Sequence, residues 1–302
     1  MKIDVIIPVY KPGVSFARLI SRLKKQTLPP DGIIIMNTRS ETDVRGLIGD
    51  DPRISMYELD EGEFDHGGTR DRAARISDAD YILFMTQDAM PADTHLIERL
   101  AGAFRDGRIK AAYARQLPAK DCREIERCAR EFNYPGESRV KTADDMDELG
   151  IKTFFCSNVC AMYERRTYLE LGGFLQKTIF NEDMIFAAGL IKAGYAIAYT
   201  ADARVIHSHN YSGAHQFRRN FDLAVSQADH PEVFEGVRSE GEGMKLVKMT
   251  AGHCVDIGKP WLLAGLVYYS GCKYLGYLLG KHYRMLPKKL VLRCTMNRNY
   301  WK

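Results

Sequence analysis

Short apolar segments alternate with amphipathic segments of helix length in the first part of the chain. Strand-like apolar stretches occur at residues 5–9, 32–36, 54–58 and 81–85, and helix-like patterns at 14–26 and 69–77. Parallel strands need long crossover connections, which are usually helices. The alternation therefore predicts an α/β fold with a mostly parallel sheet flanked by helices.

The strand predicted at 81–85 is followed directly by Thr86, Gln87 and Asp88. In open α/β sheets, ligands bind beyond the carboxyl ends of the strands, so Asp88 is a candidate site residue. Asp is also a common N-cap, and a helix starting near Pro91 would give Asp88 a purely structural role. The pattern leaves both interpretations open.

A second acidic pair, Glu182 and Asp183, opens a predicted helix after a Gly-Gly turn. Carboxylates are stabilised at a helix N-terminus, so capping is one interpretation and chemistry is the other. Strands are predicted at 195–199 and 203–206, and the second ends near His207 and His209. Side chains at alternate strand positions point the same way, and neutral imidazoles can complete a metal shell begun by a carboxylate.

Other polar residues in the first half suit a nucleotide. Pro8, Tyr10 and Asn37 lie at or just past the ends of predicted strands, where a base and a ribose could be bound. His66-Gly67-Gly68-Thr69-Arg70 opens a helix, and a Gly-rich turn at a helix N-terminus favours phosphate, although such a turn is more often only a tight loop. Neither GxGxxG nor GxxxxGK[ST] occurs at the right place, which argues against a dinucleotide or P-loop site.

Composition indicates an ordinary globular enzyme-sized chain with a distinct basic end. The 302 residues are 45% hydrophobic and 27% charged, enough for one large α/β domain with an appendage. Seven cysteines without a CxxC pair, and no secretory signal, predict a reducing, cytoplasmic setting. The formal charge is +4, yet residues 244–302 hold eleven Lys and Arg and one Asp.

This basic end contains an apolar and aromatic run at 261–279 that Lys273 interrupts. A spanning helix needs about 20 apolar residues, and the central Lys with several Gly and Tyr makes spanning costly. An interfacial helix on an anionic membrane surface fits better. The alternative is a buried helix that packs on the domain or pairs two chains as a homodimer. No nucleic-acid module accompanies the basic residues, so nucleic acid is not an expected partner.

Several segments spread over residues 3 to 225 together resemble the family-2 glycosyltransferases with a GT-A fold, and most closely their rhamnosyltransferase branch. They are VIIPVY, FDHGGTRD, LFMTQDAMP, the ARQLP run, FNYP, CSNVCAMYERR, LGGF, NEDM, HSHNYS and QFRRNFD. The family places a metal-binding DxD after a central strand. Here Thr86-Gln87-Asp88 occupies that place, so the first Asp is missing and Asp88 corresponds to the second.

The resemblance implies a GT-A domain at 1–225, with a nucleotide-sugar half at about 1–115 and an acceptor half at about 116–225, followed by a helical segment at 226–302. It implies an inverting transfer in which Asp183 is the general base and Glu182 either orients it or touches the acceptor. Asp88 with His207 or His209 would bind Mg²⁺ or Mn²⁺. An ordinary Asp pKa near 4 would suffice for Asp183.

The donor implied is dTDP-L-rhamnose, and the acceptor a glycan or lipid-linked oligosaccharide for surface polysaccharide, which would place the enzyme on the inner face of the cell membrane. Arg218 and Arg219 fit a solvated helix as well as a diphosphate contact. The substrate-contacting residues implied are Pro8, Tyr10, Asn37, His66, Gly67, Arg70, Gln87, Arg115, Asn158, Arg218 and Arg219.

Two alternatives remain at the level of sequence. The missing first Asp would suit a non-catalytic subunit of the same fold that acts as a scaffold, and another nucleotide sugar would suit the same enzyme. A metal-dependent phosphohydrolase would need a water-activating metal cluster, which the sequence does not offer.

Overall fold

A computed structural model describes residues 1–237 and 241–301. Nine strands form one sheet. Their bounds are β1 Ile3–Tyr10, β2 Gly32–Thr38, β3 Ile54–Leu59, β4 Tyr81–Met85, β5 Met90–Pro91, β6 Ile109–Leu117, β7 Arg139–Lys141, β8 Cys160–Glu164 and β9 Ala196–Ile206.

The sheet has the order β3-β2-β1-β4-β8-β6-β9-β5, and β7 pairs with β9. The first four strands pair in parallel, as the alternating pattern predicts. Beyond β4 the sheet is mixed, because β8 runs antiparallel to both β4 and β6 while β6 and β9 are parallel. Buried strands such as β4, with Ile82, Leu83, Phe84 and Met85 all inaccessible to solvent, form the centre of the core.

Helices cover both faces of the sheet. Their bounds are α1 Ser15–Lys24, α2 Val44–Ile48, α3 His66–Ile76, α4 Leu96–Ala103, α5 Glu124–Asn133, α6 Met146–Leu149, α7 Arg165–Glu170, α8 Glu182–Lys192, α9 Gly213–Asp229, α10 Pro231–Phe234, α11 Glu242–Asp256, α12 Leu262–Lys281 and α13 Lys288–Cys294.

The segment after β4 differs from the sequence expectation. The helix expected near Pro91 begins at Leu96 instead, and Met90–Pro91 pairs with the end of β9 as a short strand. Asp88 therefore does not cap a helix. The pairing of β5 with β9 brings the turn after β4 next to the end of β9, where His207 and His209 lie.

The C-terminal helices pack against the rest of the protein through α9 and α5. Gly276 and Gly280 of α12 lie so close to α9 that an added Cβ would come within 2.1 Å and 2.3 Å of the carbonyl oxygens of Phe217 and Phe221. The hydroxyl of Tyr277 donates to Gln227 at 3.1 Å. Within the described residues, no helix has the length and apolar character needed to cross a bilayer.

Candidate active site

Asp88, His207 and His209 form a cluster at the carboxyl ends of β4 and β9. Asp88 Oδ2 lies 3.1 Å from His209 Nε2 and 3.5 Å from His207 Nε2, and the two imidazole nitrogens are 3.1 Å apart. The three ligand atoms all lie within 4.8 Å of one another. One carboxylate oxygen and two imidazole nitrogens converging on one point suit a divalent cation that takes its other ligands from phosphate and water.

Gln116 fixes which nitrogen of His207 is free. The Arg130 guanidinium, which can only donate, meets Gln116 Oε1, so this atom is the amide oxygen. His207 Nδ1 lies 3.1 Å from the same oxygen and must therefore carry the proton. His207 Nε2, which faces Asp88, is then left with a lone pair for a metal, as metal-binding histidines require.

The pKa values in this cluster have opposing causes. Burial disfavours the carboxylate of Asp88, but its polar contacts with the His207 and His209 rings and with Thr86 outweigh this effect and hold the pKa of Asp88 well below its usual range. Burial lowers the pKa of His207, against the opposing effect of Asp88. Both shifts favour an ionised carboxylate beside a neutral imidazole, which are the forms that bind a metal.

Asp183 lies at the start of α8 and faces the same cavity. Its Oδ2 accepts the backbone N–H of Asn158 at 3.1 Å, and its Oδ1 accepts that of Met184 at 2.8 Å. The N-cap residue, Asn181, lies two positions before Asp183; it has a left-handed backbone with φ of 64° and makes no side-chain cap. Strained conformations of this kind occur where the surrounding structure fixes them, often at functional sites.

Glu182 has a different environment from its neighbour. It is buried, and its Oε1 lies 3.2 Å from Arg70 Nη1 and 3.4 Å from the side-chain nitrogen of Asn158. The ion pair with Arg70 fixes this carboxylate. Through these contacts Glu182 holds the start of α8 in place, and its role in catalysis stays a prediction.

The pKa of Asp183 is raised, although an ordinary value would have sufficed for a base. Burial, and then the negative charge of Glu182, raise its pKa to about 7, although the two backbone N–H groups oppose the shift. A carboxyl group with this pKa is a stronger base than an ordinary Asp and is partly ionised at neutral pH. Sequence alone could not show this, because the shift arises from packing around α8.

The Gly-rich turn at the start of α3 was expected to favour phosphate, but a carboxylate of the chain itself already caps this helix. Asp65 caps the helix and accepts the N–H of Gly68, so its carboxylate occupies the position an anion would take. Gly67 lies against the main chain, since a Cβ there would come 2.1 Å from the carbonyl oxygen of Leu175. His66 and Arg70 nevertheless line the cavity.

The cavity that joins these residues has a volume of about 510 Å³. Its walls come from the ends of β4 and β9, from α5, α8 and α9, and from the C-terminal helices α11 and α12. Several residues that line the cavity were not among the site residues expected from the sequence. They are Glu126, Arg130, Tyr134, Phe180, Tyr211, Gln216, Leu246 and Lys273. Three segments of the resemblance contain residues of this set: FNYP contains Tyr134, HSHNYS contains Tyr211 and QFRRNFD contains Gln216.

The remaining predicted contacts fall into two groups. Asn158 and Arg219 line the cavity, and the guanidinium of Arg219 stacks on the ring of Phe180 at 4.7 Å. Arg115 points to the carbonyl of Tyr134, and Arg218 is exposed; neither lines the cavity. Of the ARQLP run, it is Gln116 that reaches the site.

The residues expected at the base and the ribose, Pro8, Tyr10 and Asn37, lie outside this cavity, on β1 and β2. Gln87 exchanges two hydrogen bonds with the backbone of Tyr10, at 2.9 Å and 3.0 Å. The amide of Gln87, the middle residue of the Thr86-Gln87-Asp88 triplet, thus ties the end of β1 to the turn after β4. Asn37 is buried and donates to Glu58, while Pro8 lies within β1 beside Met36.

Comparison with known proteins identifies relatives over the whole chain. Residues 4–172 match the family described as Glycosyl transferase family 2. The chain is 41% identical to the O-antigen chain rhamnosyltransferase RfbN of Salmonella typhimurium, over 100% of this chain and 96% of that protein. It is 37% identical to the O-antigen chain rhamnosyltransferase WbaN of Salmonella anatum, over 98% and 95%.

A solved structure shares the fold. The mannosyltransferase PcManGT from Pyrobaculum calidifontis, in complex with GDP-Man and Mn²⁺, has a TM-score of 0.63 and 14% identity, over 94% of this chain and 86% of that one. At this identity the likeness concerns the fold alone. It agrees with the GT-A architecture expected from the sequence.

Proposed function

The chain belongs to glycosyl transferase family 2, and from this premise we propose that it transfers L-rhamnose from dTDP-L-rhamnose, with inversion, to an acceptor in surface polysaccharide synthesis. The similarity to two O-antigen chain rhamnosyltransferases along nearly the full length of each supports this sugar most directly. Membership of an enzyme family, together with the assembled base and metal cluster, disfavours the scaffold alternative.

The residues divide the proposed reaction between them. Asp183 accepts the proton of the acceptor hydroxyl as its oxygen bonds to the anomeric carbon, and the bond from that carbon to the diphosphate breaks on the opposite face. Asn158 and Met184 hold the carboxylate of Asp183 through their N–H groups. The products are the rhamnosylated acceptor, dTDP and a protonated Asp183.

Asp88, His207 and His209 are the residues that would hold Mg²⁺ or Mn²⁺. Bound there, a divalent ion supplies charge neutralisation for the diphosphate leaving group. The chain's own part is to keep Asp88 ionised, His207 in the tautomer set by Gln116, and both rings directed at one point. At the far end of the donor, the ends of β1 and β2 with Tyr10 and Asn37 suit the nucleoside.

A calorimetric titration tests the donor and the metal together. The protein is titrated with dTDP-L-rhamnose, dTDP-glucose, UDP-glucose and GDP-mannose, each with Mn²⁺, with Mg²⁺ and with chelator. We expect metal-dependent binding that is selective for dTDP-L-rhamnose and lost in Asp88→Ala. Preference for another nucleotide sugar would replace rhamnose, and equally tight binding in chelator would overturn the metal site.

We further propose that α12 rests on an anionic membrane surface, which would place the enzyme on the cytoplasmic face beside a lipid-linked acceptor. Exposed apolar and aromatic side chains repeat along one side of this helix at Val267, Tyr268, Tyr274, Leu275 and Leu278. Its carboxyl end continues into a basic segment with exposed Lys281, Arg284, Lys288 and Lys289. An apolar stripe beside a basic cluster matches the interface of an anionic bilayer.

Vesicle flotation separates membrane binding from pairing of two chains. We expect the protein to float with vesicles containing phosphatidylglycerol, to bind neutral vesicles poorly, and to lose binding in Leu275→Glu. Val14→Glu is the matched control, because Val14 is an apolar residue near the amino terminus, far from α12 in sequence, and is 83% exposed. A stable dimer in light scattering that Leu275→Glu dissociates, without flotation, would overturn this proposal in favour of a homodimer.

A further inference from the structure

Lys273 is the residue that breaks the apolar run of α12, and it lies on the inner side of that helix. It shares a stripe with Leu266, Gly276 and Gly280, which are buried against the rest of the protein at helical spacing. Leu275, two residues further on, is exposed. Residues two apart lie on nearly opposite sides of a helix. Lys273 therefore faces the active-site cavity, while the exposed apolar side chains of α12, such as Leu275, face outward.

The surroundings of Lys273 disfavour its charged form. Burial lowers the pKa of Lys273, and the nearby guanidinium groups of Arg130 and Arg219 lower it further against the single opposing charge of Glu126. Glu126 is already engaged, since its Oε1 holds Arg130 Nε at 2.8 Å. Across residues 1–237 and 241–301, no carboxylate forms an ion pair with Lys273.

The other charged groups of the cavity are largely balanced. Arg70 pairs with Glu182 and Arg130 with Glu126. Asp88 is directed at the two histidines of the metal cluster. Among the described Lys and Arg residues that line the cavity, this leaves Arg219, which stacks on Phe180, and Lys273 without an ion-paired carboxylate.

A partly buried cation without a carboxylate partner, such as Lys273, is unfavourable unless an anion joins it, and the exposed Arg219 adds a second positive charge at the same cavity. We propose that Lys273 and Arg219 bind the phosphate group of the acceptor, a sugar linked through phosphate or diphosphate to a lipid. This inference rests on the proposed function, and it adds the residues that recognise the phosphate of the lipid-linked acceptor. The C-terminal segment is then part of the active site as well as a membrane contact.

Two observations favour the acceptor over the donor as the source of this phosphate. The donor diphosphate is proposed to lie at the Asp88 cluster, whereas the charged groups that act on Lys273 belong to α5 and α9. The same helix also carries the proposed membrane face. In a lipid-linked sugar the phosphate joins the lipid to the sugar. When the sugar is in the cavity and the lipid is in the bilayer, the phosphate therefore lies beside α12.

The kinetic test uses Lys273→Gln with acceptor lipids extracted from the bacterium that carries this chain. We expect the KM for the acceptor lipid to rise about tenfold, the equivalent of about 1.4 kcal/mol, with the KM for dTDP-L-rhamnose unchanged. Lys248→Gln, which removes an exposed lysine of α11, is the matched control and leaves both constants unchanged. A rise in the KM for the donor instead, or unchanged constants, would overturn the proposal.

A binding test keeps the inference separate from the proposed function. Inorganic phosphate is titrated into protein saturated with Mg²⁺ and dTDP, so that the donor site is filled. We expect phosphate to bind, and to bind about tenfold more weakly to Lys273→Gln. Loss of phosphate binding once dTDP is present would assign Lys273 to the donor. If the wild-type protein transfers no rhamnose but still binds phosphate through Lys273, the function fails and the anion site stands.

Folding of the variant is checked by thermal unfolding. Because the unpaired lysine costs stability in the free protein, Lys273→Gln should unfold at the same temperature as the wild type or higher. A large drop in the unfolding temperature would mean that Lys273 holds the helices together, and a structural role of that kind would contradict the anion site.

Discussion

Asp183 combines two properties with opposite effects on its pKa. Two backbone N–H groups hold the carboxylate and favour its ionised form, yet burial raises its pKa to about 7. The N–H groups fix its direction, while burial and Glu182 make it basic. Sequence reasoning identified Asp183 through its resemblance to a family base. Its basicity was not predictable, because it depends on how deeply α8 begins inside the protein.

The raised pKa predicts an acid limb in the pH profile. Below pH 7 Asp183 is protonated and cannot accept the acceptor's proton, so kcat/KM should fall about tenfold for each pH unit. The measurement is kcat/KM between pH 5 and pH 8 with the metal concentration held saturating. A limb centred near pH 4 would contradict the environment described for Asp183.

Replacing the base should remove the chemistry and spare binding. We expect Asp183→Asn to lower kcat by about 100- to 10,000-fold while calorimetry shows unchanged affinity for the nucleotide sugar. Asp222→Asn is the control, since Asp222 is also buried with a pKa raised to about 6 but lies outside the cavity. Equal losses in both variants would point to a folding defect in place of lost base catalysis.

Gln116 offers a test of the metal cluster that does not rely on turnover. Gln116→Met removes the acceptor for the Nδ1 proton of His207, and the ring can then rotate or change tautomer. The affinity for Mn²⁺, measured by calorimetry, should fall about 10- to 100-fold. Gln116→Glu keeps an acceptor at this place and should retain the affinity; unchanged binding in the Met variant would refute this role.

At the scale of elements, the contact between α9 and α12 carries the C-terminal segment. The run at 261–279 was expected to be an interfacial helix or a buried one, and α12 has both an exposed apolar stripe and a buried inner face. The glycines at 276 and 280 let the two helix backbones approach closely. Hydrophobic periodicity could not show this, because every side of the run is apolar or aromatic.

Gly276→Ala tests this contact. The added methyl group would meet the carbonyl of Phe217, so we expect a loss of about 1–3 kcal/mol in the free energy of unfolding. Gly271→Ala is the control on the exposed side of the same helix, where nothing lies within 4 Å of an added Cβ. There the substitution should stabilise by about 0.4–1 kcal/mol. Urea unfolding measures both, and equal effects would contradict the close crossing.

For the molecule as a whole, the sequence is most informative where structure is local. The four parallel strands follow from their apolar runs, and the two histidines from their spacing at a strand end. The mixed half of the sheet, with β8 between β4 and β6, depends on pairings between distant segments. The same holds for Arg130 and Lys273, which enter the site only because α5 and α12 pack beside it.

The predicted division into a domain at 1–225 and a segment at 226–302 remains a prediction. Leu246 of α11 and Lys273 of α12 line the same cavity as Asp88 and Asp183, so the later segment contributes to the walls of the site. If this contribution is functional, the active site is complete only with both parts of the chain present.

The most direct test of the proposed rhamnosyl transfer is a radiochemical assay with dTDP-L-[14C]rhamnose, the full-length protein and extracted acceptor lipids. We predict that radiolabel enters the lipid fraction with Mn²⁺ or Mg²⁺, that a chelator stops the transfer, and that added metal restores it. Asp88→Ala should remain inactive throughout. Transfer that continues in excess chelator, or that persists in Asp88→Ala, would contradict a metal-dependent centre at Asp88, His207 and His209.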